Sequence, residues 1–325
     1  MRRREFLGLV GSVAVWPPCV AKAQKSKPVI GFLSVTTRAE ITLSAFRQGL
    51  AEAGFVEGKN VVIEYRFANG RHDLLPPLAA DLVARRVDVI AAMAGSTSAR
   101  AAQAATSTIP IVFTMGDADP VQAGIVRSLS RPAGNITGAV LMGGALGVKR
   151  VQLIRELIRN AKALAILENP KNLVSRGEVK DVETAVKSSG LRPVVIQASQ
   201  VDQFDAAFET AVREHADGLI VAADVFFTQE RFKIIALAAR HSLPAVYQWR
   251  RFADAGGLMS YGASIAEANR QTGIYAGRIL KGEKPANLPI VLPTKFELVI
   301  NLRTAKALKL DVPLHIQQIA DEVIE

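Results

Sequence analysis

Cysteine is almost absent from this chain. Its 325 residues contain one, Cys19, which falls in an N-terminal leader, so the exported remainder would have no thiol, no disulfide and no cysteine metal site. Histidine is nearly as scarce. His72, His215, His241 and His315 are scattered, with no HExxH and no close pair of the kind that holds a metal. There is no GxxxxGK[ST] loop, and no GxGxxG follows the first strand, so the nucleotide fingerprints are missing. The segment GLMSYG around Ser260 lacks the glycine two residues ahead of the serine that a nucleophile elbow needs. Lysines and arginines are dispersed among acids, without a basic run interleaved with aromatics, which argues against a nucleic-acid groove. No stretch after the leader is long and apolar enough to span a membrane. These absences point away from an enzyme, a cofactor protein and a permease.

What is present begins with the leader, MRRREFLGLVGSVAVWPPCVAKAQ. Basic residues, an apolar stretch from Phe6 to Trp16 and the small-residue pattern Ala21-Lys22-Ala23 form a secretory signal with expected cleavage after Ala23. Arg3-Arg4-Glu5-Phe6-Leu7 follows the twin-arginine export pattern; an arginine-rich Sec leader is the alternative. Either route ends in the periplasm. Three of the ten net positive charges sit in this leader, from Arg2, Arg3, Arg4 and Lys22 against Glu5. The chain as a whole is ordinary for a soluble globular protein, 49% hydrophobic and 22% charged, and long enough for two domains.

The remainder is organised around Val87 to Asp117. VDVIAAM is a short apolar run rich in β-branched residues, as expected of a strand buried on both faces. Gly95 and the hydroxyls of Ser96, Thr97 and Ser98 follow as a turn and caps for a helix from Ala99 to Ala105. A second apolar run from Ile109 ends at Gly116-Asp117. This unit recurs: Ala216 to Asp224 repeats the first strand, with Asp217 answering Asp88, and Ala238 to Tyr247 repeats Ala104 to Phe113. Two matches in the same order indicate two similar α/β lobes.

Strands at Pro28–Leu33 and Asn60–Phe67, with helices through Leu43–Ala53 and Leu74–Arg86, complete one doubly wound lobe. A short helix is expected over Pro120–Leu129, and Asn135–Leu141 reads as a strand leaving the lobe. The second lobe opens with a helix through Lys149, Leu153 and Leu157, then alternates strand and helix to Asp224 and Tyr247. Gly257–Gly262 and Pro289–Asn301 are expected to be extended crossings, the latter because Pro293 disfavours a central strand. The expected division is a signal peptide over 1–23, one lobe over 28–138 plus 262–288, and a second over 139–261 plus 289–325. Several crossings between two lobes form a closing hinge.

Candidate ligand groups cluster where strands end, the edge at which open α/β sheets bind ligands. Ser96, Thr97 and Ser98 are either carboxylate donors beside a helix N-terminus or plain caps. Asp117 and Asp224, one per lobe, either hold an ammonium group across a cleft or cap the next helix. Tyr247, Trp249 and Tyr261 either stack on a ligand or pack in the core. Asp88 and Asp217 lie on the opposite edge and read as structural.

In order and spacing, the segments RRREF, VIGFLS, AFRQGLAEAGFVEGKNVVIEYR, LPPLAADLV, STIPIVF, RPAGNITG, GLMSYG and GRILKGEKPANLPIVLPTKFELVINLRTAKALKL resemble bacterial ABC-transporter substrate-binding proteins of the tryptophan/tyrosine transport type. The resemblance covers essentially the whole chain. It implies a type I periplasmic-binding fold, two Rossmann-like doubly wound lobes joined by three crossings. It further implies a monomer that binds a small-molecule solute, polar or aromatic, and delivers it to a membrane permease driven by a separate ATPase. The family's cleft loops match Ser34 and Thr36, Ser96 to Ser98, Asp117, Asn169 and Asp224. A ligand sensor presenting the same fold to a membrane receptor is the alternative function.

Overall fold

A computed structural model describes residues 27–38, 40–116, 119–141, 144–172 and 176–325. The leader and Asp117 lie outside the described residues. The first half forms β1 (Val29–Ser34), α1 (Glu40–Glu52), β2 (Val62–Phe67), α2 (Leu75–Ala84), β3 (Val89–Met93), α3 (Ser96–Ala105), β4 (Ile111–Met115) and β5 (Ile136–Val140). Its strands make one parallel sheet in the order β2-β1-β3-β4-β5. β3 and β4 are buried at every position, which is why they read as continuous apolar runs rather than alternating ones.

The second half supplies α4 (Gly144–Leu157), β6 (Ala163–Glu168), α5 (Arg176–Ser188), β7 (Arg192–Gln197), α6 (Gln203–Arg213), β8 (Gly218–Val221), α7 (Val225–Gln229), α8 (Arg231–Arg240), β9 (Ala245–Tyr247), α9 (Arg250–Asp254) and β10 (Met259–Ala263). The chain then returns to the first lobe as α10 (Ile265–Leu280) and comes back as β11 (Phe296–Asn301), α11 (Leu302–Ala307), α12 (Leu314–Ile319) and β12 (Glu322–Ile324). The second sheet runs β12-β11-β10-β9-β8-β6-β7. Read from β7, its first five strands repeat the order of the first sheet. The repeat extends to the paired aspartates. Asp88 accepts a hydrogen bond from Val29 N at 2.7 Å, and Asp217 accepts from Ala163 N at 3.0 Å. Each secures the start of a neighbouring strand, the structural role their positions indicated.

Four expectations change. Pro120–Leu129 is a series of turns rather than a helix: Asp119 accepts from Val121 and Gln122 N–H, and Gly124 at φ +68° turns the chain away. Asn135–Leu141 does not leave the lobe; its core is β5, the edge of the first sheet. Gly257–Gly262 is not a crossing, because β10 pairs with β9 and β11. A Cβ on Gly262 would lie 1.8 Å from Gln248 O, so only glycine allows that approach. Pro289–Asn301 divides: Pro293 lies in a crossing, and Phe296–Asn301 is β11, antiparallel to β10 and inside the sheet. Val291 pairs with Ala139, and Ser264 N donates to Lys295 O at 3.1 Å. The three passages between lobes therefore run after Leu141, at Ala263–Ile265 and from Val291 to Lys295.

α10 belongs to the first lobe by its packing. Thr272 Oγ1 meets Thr114 Oγ1 of β4 at 2.7 Å in the buried interior. Its other face lies against α1 so closely that a Cβ on Gly273 would stand 2.1 Å from Phe46 O, and one on Gly49 1.8 Å from Arg270 O. Small residues at this seam let the two backbones touch.

Candidate functional site

The carboxyl ends of both sheets face one cavity of about 80 Å³, the place where a doubly wound sheet leaves backbone and loop groups for a ligand. From the first lobe come Thr36 and Thr42, the Ala94-Gly95 turn, and Thr114-Met115-Gly116 with Leu141. From the second come Asp224, Val225 and Thr228 of the α7 start, and Trp249 and Arg251 at the α9 start. Ile265 and Asn269 of α10 form the hinge side. Volume of this size holds several waters at roughly 10–15 Å³ each, or part of a small solute.

Asp224 is the central charged group. It ends the repeated strand unit and caps α7, its Oδ1 accepting from Phe227 N at 3.2 Å. Asn169 Nδ2 and Asn172 Nδ2 both donate to its Oδ2, at 3.1 and 2.8 Å. Only 5% of the residue is exposed. Burial pushes its carboxyl above the usual carboxylate range, against the lowering effect of the hydrogen bonds from Asn172, the backbone and Asn169. No cation pairs with it among the described residues. Aligned neutral donors around an uncompensated carboxylate make a receptor for a cation.

Behind this loop, Arg150 of α4 pairs with Glu178 of α5, and Glu178 Oε2 accepts from Ala223 N at 2.8 Å. That buried pair fixes the backbone immediately before Asp224. Across the cleft, Ala94 takes φ +68°, a left-handed conformation costing roughly 1–2 kcal/mol for a non-glycine residue. Such strain concentrates at ligand sites. Asn269 is 2% exposed, and its Nδ2 has no partner among the described residues.

The expected site residues divide. Thr36, Asp224 and Trp249 line the cavity, and Asn169 reaches it through Asp224. Ser34 is buried one step behind, its Oγ 3.0 Å from Thr36 Oγ1. Ser96, Thr97 and Ser98 are not caps: they form the first turn of α3, after Gly95 as N-cap. Ser98 Oγ accepts from Val35 N at 3.1 Å, tying α3 to the end of β1. Tyr247 is not brought to the cleft; it stacks on Phe252, ring centroids 4.6 Å apart, within the second lobe's core. Tyr261 lies against Phe296, centroids 6.4 Å apart, on the other face of that sheet. Arg251, Asn269, Asn172 and the threonines 42, 114 and 228 were missed. Trp249-Arg250-Arg251 offered a signal, an aromatic and two cations just after a strand; Asn269 offered none, since a lone asparagine in a helix names no neighbour.

The two lobes touch around this cavity. Val225 packs against the first lobe's core, and a Cβ on Gly116 would meet the Trp249 ring at 2.9 Å. Two parallel-sheet lobes meeting around a largely apolar cavity at their strand ends, with three connections between them, define a type I solute-binding protein. Residues 28–324 match the ABC transporter substrate binding protein family, and the chain belongs to that family. Its members are substrate-binding proteins, not enzymes. A tyrosine-binding protein of Clostridioides difficile is 26% identical over 264 residues, 81% of this chain and 75% of that one. A Streptococcus pneumonia ABC domain in complex with L-Trp superposes with TM-score 0.84 at 23% identity, covering 92% of this chain and all of the other. A conserved domain protein from Vibrio cholerae gives TM-score 0.81 at 26% identity, over 91% and 99% of the two chains. Among the described residues no helix is long and apolar enough to cross a membrane.

Proposed function

We propose that the chain captures a small amino-acid-like solute between its lobes and hands it to the permease of an ABC importer powered by a separate ATPase. The observation that carries this reading is Asp224, a buried carboxylate oriented by two asparagines and lacking a cation, on the wall of the inter-lobe cavity. The solute's ammonium group meets Asp224 on the second lobe. Its α-carboxylate meets the backbone N–H groups at the start of α3 on the first, where the helix dipole favours an anion. Trp249 and Thr36 enclose what lies between. A ligand bridging opposite lobes stabilises the closed arrangement over the open one by its differential affinity, and the lobes, divided at the crossings after Leu141, at Ala263–Ile265 and from Val291 to Lys295, move as bodies on those crossings. The names of the tyrosine-binding relative and the L-Trp complex support an amino-acid solute. Export by the twin-arginine leader to the periplasm, cleavage after Ala23 and action as a monomer complete the proposal.

A thermal-shift screen of the chain from Gln24 onward against amino acids, sugars and nucleosides tests it. A ligand at a hundred times its dissociation constant adds about 2.7 kcal/mol, and an amino acid should give the largest rise in melting temperature. Asp224→Ala should remove that rise. Sugars or nucleosides as the only hits, or an unaltered rise in the variant, would sink the amino-acid reading.

A further inference from the structure

Arg251 opens a second compartment. A cavity of about 440 Å³, walled by Arg231, Arg250, Arg251, Asp254 and Glu297, adjoins the cleft, and Arg251 and Ile265 line both spaces. Three arginines face two acids there, and the pairing is uneven. Arg250 is bound to Asp254 and to Glu322, at 3.3 and 2.7 Å. Arg231 donates to Thr228 O at 3.1 Å and lies over the Phe232 ring. Arg251 has no hydrogen bond or ion pair among the described residues, although it is partly buried. Burial and the nearby positive charge of Arg231 both disfavour its guanidinium, and Asp254 offsets them only in part.

A half-buried guanidinium without a partner, next to a second one, is arranged for an anion. The start of α3, where the α-carboxylate is placed, belongs to the first lobe, whereas Arg251 lies on the second, where the cleft opens into the larger cavity that Asp224 does not line. An anion at Arg251 is therefore a second one, on the side of the larger cavity. Asn269 sits in the same cavity wall, 2% exposed, with its amide N–H groups unsatisfied, and supplies a neutral donor along the path.

We propose that the solute carries a second, distal carboxylate, and that Arg251, backed by Arg231, reads it at the junction of the two cavities. The ligand class is a dicarboxylic amino acid rather than a neutral one. This rests on the cleft reading above, with its ammonium at Asp224, and adds the specificity element.

Isothermal titration of the mature chain with two matched pairs tests it: L-glutamate against L-glutamine, and L-4-carboxyphenylalanine against L-tyrosine. The pairs differ by one terminal charge at two reaches. In at least one pair the acid should bind ten times or more tightly than its neutral partner. Arg251→Gln should bring that ratio close to one, Arg231→Gln should lower it, and Arg251→Lys, which keeps the charge without the fork, should retain part of it. Equal binding of both members, preference for the neutral one, no binding of either pair, or a ratio that survives Arg251→Gln would each overturn the proposal. Asp224→Ala separates the two levels. If it weakens every amine-bearing probe while the acid preference is absent, the cleft reading stands and only the distal site falls. If it weakens none, the cleft reading falls as well.

Discussion

At the scale of single residues, the ammonium site proposed at Asp224 would set ligand affinity against stability. Its folded pKa is raised by burial from the ordinary 3.8, so the empty folded protein holds this proton more tightly than the unfolded chain does. The associated stability is complete below pH 3.8 and is lost as pH rises through the folded pKa. Asp224→Asn removes that loss. Its melting temperature, relative to the unmutated protein, should therefore climb with pH across this window and level off above it. An ammonium ligand needs the ionised carboxylate, so affinity should fall as pH drops below the raised pKa, up to tenfold per unit, and titrations at several pH values read this directly. A pH-independent difference in melting temperature would show that Asp224 ionises as a solvated carboxylate. Glu178 illustrates the opposite case. Glu178→Ala leaves Arg150 a buried guanidinium without its carboxylate and frees Ala223 N. Urea unfolding should register a loss of about 3–5 kcal/mol, and a loss under 1 kcal/mol would mean that the pair does not organise the Asp224 loop.

At the scale of elements, the seam between α1 and α10 sets two effects of opposite sign against each other. On helix propensity alone, Gly273→Ala stabilises by about 0.8–1.0 kcal/mol. The contact predicts the reverse: a methyl 2.1 Å from Phe46 O and 2.8 Å from Leu50 N forces the helices apart, and overpacking costs about 1–3 kcal/mol. Net destabilisation is expected in urea melts, and a stabilised variant would mean that the helices separate at no cost. The elements that could be read from the chain were those whose pattern is local. β3, β4 and β8 announced themselves as apolar runs, and α1 and α4 by apolar residues at helical spacing. β11 and β12 were missed for a non-local reason: Phe296–Asn301 becomes an interior strand only because β10 and β12, nearby in sequence or not, flank it. Ser96–Ser98 looked like caps because capping residues and first-turn residues have the same composition; Gly95, at φ +131°, took the cap position.

At the scale of the whole molecule, Gly116 offers a test of the proposed closure. It lies at the end of β4 in the first lobe, where the Trp249 ring of the second comes down on it. Gly116→Val places branched carbons where even a Cβ would stand 2.9 Å from both Trp249 and Leu141. The closed arrangement then becomes less populated, and apparent affinity falls in proportion to the competent fraction. Small-angle scattering should show a larger radius of gyration for this variant with ligand than for the unmutated complex. Equal radii and equal affinity would mean that the Gly116–Trp249 contact does not govern closure.

The sequence by itself determined the two-lobed α/β architecture, the repeat that makes the second sheet follow the strand order of the first, and the place of Asp224 just beyond a strand end. These depend on the alternation of apolar runs with turns and on residues placed at strand ends, both of which survive reading in one dimension. Only the tertiary structure decided which side chains share the cavity. It took Tyr247 and Tyr261 away into cores on opposite faces of one sheet, and it brought in Arg251 and Asn269. A strand shows its ends in sequence, but the face on which each side chain falls, and the neighbour it meets across a cleft, depend on how two separately folded sheets dock.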